Sequence, residues 1–176
     1  MKTFKSVILV KYPQDLVWQS IRDRLSEMVP YLDDVANITQ EHRKEDDDGS
    51  LHLTNIWKAD AKIPAMLHSI IDPDSISWTD RAQWIEEKNA CHWAIEPHFF
   101  PDRTRCSGIT YYEPAIGGRG TRITFTGELE VNAKNIPGLP GIVESTATKT
   151  IESLVTTLIP KNFRKVTAAL SVLLDN

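Results

Sequence analysis

The stretch "IGGRGTRITFTGELEV", Ile116 to Val131, places glycines at 117, 118 and 120, just ahead of a regular alternation. Such a run can cradle a phosphate or turn a β-hairpin. A phosphate loop needs a strand before it and a helix after it, so that amides at the helix N-terminus face the anion. Here the glycines lead into Ile123, Phe125, Leu129 and Val131, which alternate with Arg122, Thr124, Glu128 and Glu130. Period two is the mark of a half-buried strand. No Gly-Lys-Ser/Thr follows. The stretch reads as a hairpin turn and its outgoing strand.

Working outward, a two-residue turn at Gly118–Arg119 sets Tyr112 opposite Phe125, Thr110 opposite Gly127, Gly108 opposite Leu129 and Cys106 opposite Val131. A turn at Pro101–Asp102 sets Trp93 opposite Thr110 and Ile95 opposite Gly108. One at Glu87–Lys88 sets Ala82 opposite Trp93, Asp80 opposite Ile95 and Trp84 opposite Cys91. Directly opposed side chains share a face. Three independently placed turns therefore gather Ile76, Trp78, Ala82, Trp84, Trp93, Ile95, Tyr112, Phe125, Leu129 and Val131 on one side. A one-residue slip at any turn would flip a whole strand. Gly108, Thr110 and Gly127 lie on the same side and are small. They leave room either for a closely seated helix or a bend in the sheet, or for a hollow.

The rest of the chain supplies the partners. "FKSVILVKY" reads as a first strand ending at Pro13. Leu16, Val17, Ile21, Leu25 and Met28 then recur at helical spacing, with Pro30 as the limit. "VANITQEHRK" and "LHLTNIWKA" flank the turn signal "EDDDGS". "KIPAMLHSII" suits a short helix or lid. From Glu144, Ala147, Ile151, Leu154, Val155 and Leu158 line one helical face, and the series resumes at Phe163, Val166, Leu170 and Leu174. Pro160 between them predicts a kink or break. The plan is α+β: a curved antiparallel sheet of six to seven strands with a long C-terminal helix across it, one domain over 1–176.

Composition narrows the functions. The formal charge of −4 and the lack of a basic stripe argue against nucleic acid as a partner. Cys91 and Cys106, the only cysteines, make neither a disulfide framework nor a zinc site, which points to a reducing compartment. Val7–Val10 is too short an apolar run for a signal peptide, and no run approaches the roughly 20 residues of a spanning helix. The expectation is a cytoplasmic protein without stable membrane insertion, transient membrane contact being left open.

"VILVKYPQDLVWQSIRD", Val7 to Asp23, resembles the opening of the START-like, or SRPBCC, superfamily, in which a first strand runs into a helix through a proline-bearing, Val-Trp-containing segment. "GTRITFTGELEV" followed by a long terminal helix is similar to that superfamily's closing unit. The resemblance spans nearly the whole chain as an order of elements and assigns no branch. It implies a helix-grip fold with a cavity between sheet and helix, in a superfamily that binds or carries lipids, sterols, polyketides and hormones and includes some enzymes and co-chaperones. It transfers no catalytic motif.

Among residues that can carry chemistry, Asp80 stands out, lying between Trp78 and Ala82 on the apolar face. An unpaired carboxylate there is costly and rises in pKa; alternatively it is paired with an arginine or water. If Asp48–Gly49 turns the early hairpin, Asn55 and Trp57 share a face with His42. Asn55, His42 and Tyr112 are then either polar anchors in a cavity or satisfied structural groups. His92, Glu96 and His98 in "HWAIEPH" are no metal site, since the two histidines lie roughly 20 Å apart along a strand. "DDDGS" has Trp57 where a calcium loop needs its last glutamate. Asn135–Gly141, "NIPGLPG", is either a gate or a connector.

The expected function is binding or transport of a hydrophobic or amphipathic small molecule: a lipid, isoprenoid or aromatic metabolite. Trp57, Trp78, Trp84, Trp93 and Phe125 form the wall, with Ile95, Gly108, Thr110, Gly127 and Leu129 completing the lining. Asp80, Asn55, His42 or Tyr112 orient any polar head. No cofactor and no metal are expected. The alternatives are a cyclase-, dehydratase- or hydrolase-like enzyme using the same cavity, and an interaction module whose cavity has collapsed.

Overall fold

The structure is a computed structural model. It describes residues 1–60, 62, 65, 68–69, 72, 76–99, 101–132, 134, 137 and 140–176, apart from the side chains of Leu154 and Leu158. The lid suggested at "KIPAMLHSII" and the gate suggested at Asn135–Gly141 fall largely outside the described residues.

Strand β1 (Lys2–Val10) leads into helix α1 (Gln14–Asp23). Strands β2 (Val35–Glu45) to β7 follow: β3 (Leu51–Ala59), β4 (Ser77–Ile85), β5 (Ala90–Pro97), β6 (Thr104–Ala115) and β7 (Gly120–Val131). Helix α2 (Glu144–Asp175) closes the chain. All pairings are antiparallel, in the order β1-β7-β6-β5-β4-β3-β2. The first two strands thus become the two edges.

The glycine-rich stretch is a hairpin, with Ala115 opposite Gly120 across a four-residue loop. Gly117 and Gly118 both take positive φ, 61° and 85°. A side chain strains that backbone. The expected two-residue turn gives way to this wider loop, so Thr110 faces Phe125 and Gly108 faces Gly127. That is a shift of two residues from the predicted pairing. The β5–β6 register moves by two as well, with Trp93 opposite Gly108 and Ile95 opposite Cys106. A two-residue shift preserves the face, so the predicted apolar set stays together. The β4–β5 register is the expected one, Asp80 opposite Ile95 and Trp84 opposite Cys91.

Two helical expectations change. The first helix stops at Asp23 and continues as a 3₁₀ segment over Leu25–Tyr31, still burying Met28. Helix α2 runs unbroken through Pro160. The proline removes the amide hydrogen that would have reached Thr156 and sets its ring against that carbonyl, and packing on the sheet holds the helix on both sides. Ala147, Ile151, Val166 and Leu170 are all buried. Polar ties reinforce the docking: Arg164 Nε donates to Ser6 Oγ at 3.1 Å, and Lys165 Nζ to Asp34 at 2.7 Å.

Gly108 and Gly127 face each other across the β6–β7 ladder, under the indole of Trp93. A Cβ on Gly127 would lie 2.5 Å from Phe4 Cζ and 2.6 Å from Trp93 Cη2. A Cβ on Gly108 would strike Trp93 Cζ2 and the carbonyl oxygen of Thr126. The small residues therefore seat a large one, and no hollow lies over them on the inner face. The Trp93 ring stacks on Phe125 at 4.8 Å and 9°, and Phe125 stacks on Phe163 of α2 at 4.3 Å and 11°.

Alanine at either glycine should destabilise the fold by about 1–3 kcal/mol or more. Gly108→Ala should be the worse, because a strand carbonyl cannot move aside as a ring can. Urea unfolding of the two variants gives the order, and an equal or smaller loss for Gly108→Ala would contradict this packing.

Candidate functional site

The inner face of the sheet is a regular array. One row across the strands reads Asn55, Asp80, Ile95, Cys106, Leu129, and the next reads Leu53, Ala82, Trp93, Gly108, Gly127, Phe4. Between this face and the helices lies a cavity of about 130 Å³. Of the predicted lining residues, the structure brings Asn55, Trp57, Trp78, Asp80, Trp84, Trp93, Ile95, Thr110, Tyr112 and Phe125 to its wall. An apolar hollow of roughly 150 Å³ takes benzene, so the space is of a size for a compact ring.

Four predicted residues stand apart. Gly108 and Gly127 are covered by Trp93 and Phe4. Leu129 is fully buried in the cluster with Trp93, Cys106 and Phe125. His42 is exposed and faces Thr54 instead of Asn55. A bulge between Gln40 and His42 turns it outward. Bulges concentrate on edge strands such as β2, where one side of the ladder is free.

Other residues were not foreseen as lining. Ile21, Arg22 and Leu25 come from α1 and its 3₁₀ extension, and Ile159, Asn162, Phe163 and Val166 from α2. Ala82, Cys91 and Leu53 complete the sheet side. Ile21, Leu25, Phe163 and Val166 already sat on apolar helical stripes, which was the available signal. Asn162 carried none, being one polar residue beside that stripe.

Aromatic contacts fix the walls. Trp57 stacks on Trp78 at 5.6 Å and 18°. Trp18 of α1 meets Trp84 and Tyr112 edge-on, at 4.9 Å and 5.4 Å. The Trp93 indole N–H donates to Thr110 Oγ1 at 3.1 Å. By contrast, Trp57 Nε1, Trp84 Nε1 and Asn162 Oδ1 are buried with no hydrogen bond among the described residues. All three residues line the cavity. Buried polar atoms are nearly always partnered, and these three are gathered around one hollow.

Asp80 is the acidic group of the cavity. It makes no ion pair among the described residues, and it is half-buried on the cavity wall. Burial pushes its carboxyl up from the ordinary range to about 6, opposed by the Trp57 indole N–H and by Asn55. The Trp57 group acts on the carboxylate without closing to a hydrogen bond of ordinary geometry. Burial, reinforced by the nearby Asp80 charge, also raises the Cys91 thiol well above its usual value. Tyr112 is likewise raised, by burial first and then by Cys91 and Asp80. At neutral pH both are uncharged, and Asp80 carries the negative charge of the hollow.

The remaining candidates sit elsewhere. Cys91 and Cys106 are free and buried on different rows of the inner face. His92 is exposed on the outer face, Glu96 pairs with Arg81 at 3.1 Å, and the His98 ring bridges the hydroxyls of Ser77 and Thr79, 2.7 Å from each. The Asp48 carboxylate accepts from the Ser50 amide and hydroxyl within its own turn. No described helix is long and apolar enough to cross a membrane.

No protein-family model matches the chain, and no curated protein matches its sequence. Solved structures do match. The aromatase/cyclase Zhui from Streptomyces sp. R1128 is 14% identical with a TM-score of 0.66, over 96% of this chain and 90% of that one. TTHA0849 from Thermus thermophilus is 17% identical with a TM-score of 0.65, over 98% and 99%. Norcoclaurine synthase from Thalictrum flavum is 14% identical with a TM-score of 0.59, over 98% and 86%. At these identities the likeness is one of fold: a curved seven-stranded sheet gripping a long C-terminal helix.

The Asp80 environment sets a pH dependence. The folded chain keeps a proton up to about pH 6, whereas the unfolded carboxyl loses it near pH 3.9. The folded state thus binds more protons within that window, and stability falls as pH rises through it, by about 3 kcal/mol in all. Asp80→Asn removes this loss. The stability difference between the variant and the parent, from urea unfolding at a series of pH values, should grow from about pH 4 to about pH 6 and then level off. A flat difference would mean that Asp80 is hydrated or paired.

Proposed function

We propose that this helix-grip chain binds a compact apolar or amphipathic small molecule in the hollow between sheet and α2. The observation that carries the reading is the combination in one cavity of aromatic walls and unpartnered polar atoms. Burial of the guest's hydrocarbon drives binding at roughly 25 cal/mol per Å². The orphan groups and Asp80 orient its polar end. The volume favours a one- or two-ring aromatic metabolite over a lipid tail or a sterol.

An enzyme using the same cavity is the second reading. It is favoured by Asp80, whose pKa of about 6 suits a general acid or base near neutrality. Two similar structures support it by name, an aromatase/cyclase and a synthase. Such a step requires a guest with an exchangeable proton within hydrogen-bond reach of the carboxyl, so binding comes first in either case.

Indole and similar one- or two-ring compounds should quench the tryptophan fluorescence and raise the melting temperature by mass action. Ala82→Leu, which puts bulk into the hollow from the strand side, should abolish both effects. Palmitate should produce neither. No shift with any aromatic probe would refute the binding reading, and a palmitate shift matching that of indole would place the ligand site elsewhere.

A further inference from the structure

The chemistry of the guest can be specified further, resting on the binding reading above. The hollow carries both kinds of polar group: the acceptors Asp80 and Asn162 Oδ1, and the indole N–H groups of Trp57 and Trp84, which lack an acceptor among the described residues. Asp80 offers a carboxylate without an ion-pair partner, and Asn162 offers Oδ1 without a donor, among the described residues. One lies on β4 and the other on α2, so they reach the same space from its two walls. Among the neighbours that act on Asp80 electrostatically there is no cation: Trp57 and Asn55 of β3 are neutral, and so are Cys91 of β5 and Tyr112 of β6 at ordinary pH. Arg22 also lines the hollow, but its guanidinium is held by Asp23, at 2.9 Å and 2.7 Å, with Glu45 and Glu86 close by.

An isolated buried carboxylate costs free energy that evolution can remove with one substitution. The cost is offset when a cation is supplied from outside. The surrounding walls are suited to one. The faces of indole and phenol rings carry negative potential and attract an ammonium group, most strongly away from water. A carboxylate, an amide oxygen and aromatic faces around a small space are together complementary to a group with several N–H donors and one positive charge.

We propose that the cavity takes a protonated primary or secondary amine on a compact apolar body, with Asp80 as its counter-ion and Asn162 Oδ1 as a second acceptor. The hydrocarbon part lies against the tryptophans, and the ammonium forms the charge-assisted hydrogen bonds that the resting protein lacks. A neutral alcohol would leave the carboxylate charge uncompensated. A carboxylic acid anion would place two negative charges in one small hollow.

Three probes of nearly equal size test this by calorimetry at neutral pH: phenethylamine, phenethyl alcohol and phenylpropanoate. The amine should bind on the order of tenfold more tightly than the alcohol, with the anion weakest. Asp80→Asn should weaken the amine by on the order of tenfold and leave the alcohol nearly unchanged. Asn162→Leu, whose fold does not depend on a buried charge, should weaken the amine less and again spare the alcohol. Equal binding of amine and alcohol, or an Asp80→Asn effect shared by both, overturns the amine assignment while leaving the cavity reading intact. Binding of none of the three overturns both.

Discussion

The structure depends on one steric match: the indole of Trp93 lies where the β6–β7 ladder has no side chains. Gly108 and Gly127 are paired neighbours, and the ring occupies the volume that two Cβ atoms would need. Because the indole can lie low over the sheet, Phe125 can stack on it, and Phe163 can stack on Phe125. That series of rings sets how far α2 stands from the strands. On either side of it, where the neighbouring rows carry Asp80 and Thr110 instead of large apolar groups, the helix cannot close down, and the hollow is what remains. The cavity is thus a by-product of how the helix is propped and not of missing bulk at the glycines.

Much of this architecture was legible in the sequence, for a physical reason. Strand alternation has period two, and the apolar set reveals which face is buried without revealing how far the strands have slid. Two hairpin registers were each off by two residues, yet Trp93, Phe125 and Tyr112 still came out on the inner face. A bulge is different, because it changes parity. The one between Gln40 and His42 in β2 sent His42 to solvent, and nothing in "VANITQEHRK" announced it. The helical contribution was hidden for another reason. Asn162 is an ordinary polar residue until the helix is placed, and only then does its Oδ1 prove to be buried without a donor among the described residues. Pro160 does not break the helix, since packing on either side of it holds the turn despite the lost hydrogen bond.

Asp80 links the cavity to stability. Native chains are only marginally stable, and a few kcal/mol held in one uncompensated carboxylate is a large share of the total. Residues that lower stability while lying in a concave aromatic site are candidates for function on physical grounds. The array around Asp80 is otherwise conservative: Ile95 and Asn55 flank it across the strands, and Trp78 and Ala82 along its own strand.

The strand order carries a consequence for how the chain reaches this state. β1 pairs only with β7, so that Lys2 meets Leu129 and Val10 meets Thr121. On the ribosome β1 has no partner until strands β2 to β7 have all been made. Pairings between such distant segments slow folding, since the intervening loop must close before any contact rewards it. Meanwhile β1 is an unpaired edge bearing Val7 and Leu9, which stay exposed even in the finished protein. During synthesis it is therefore the segment most open to mispairing with another nascent copy.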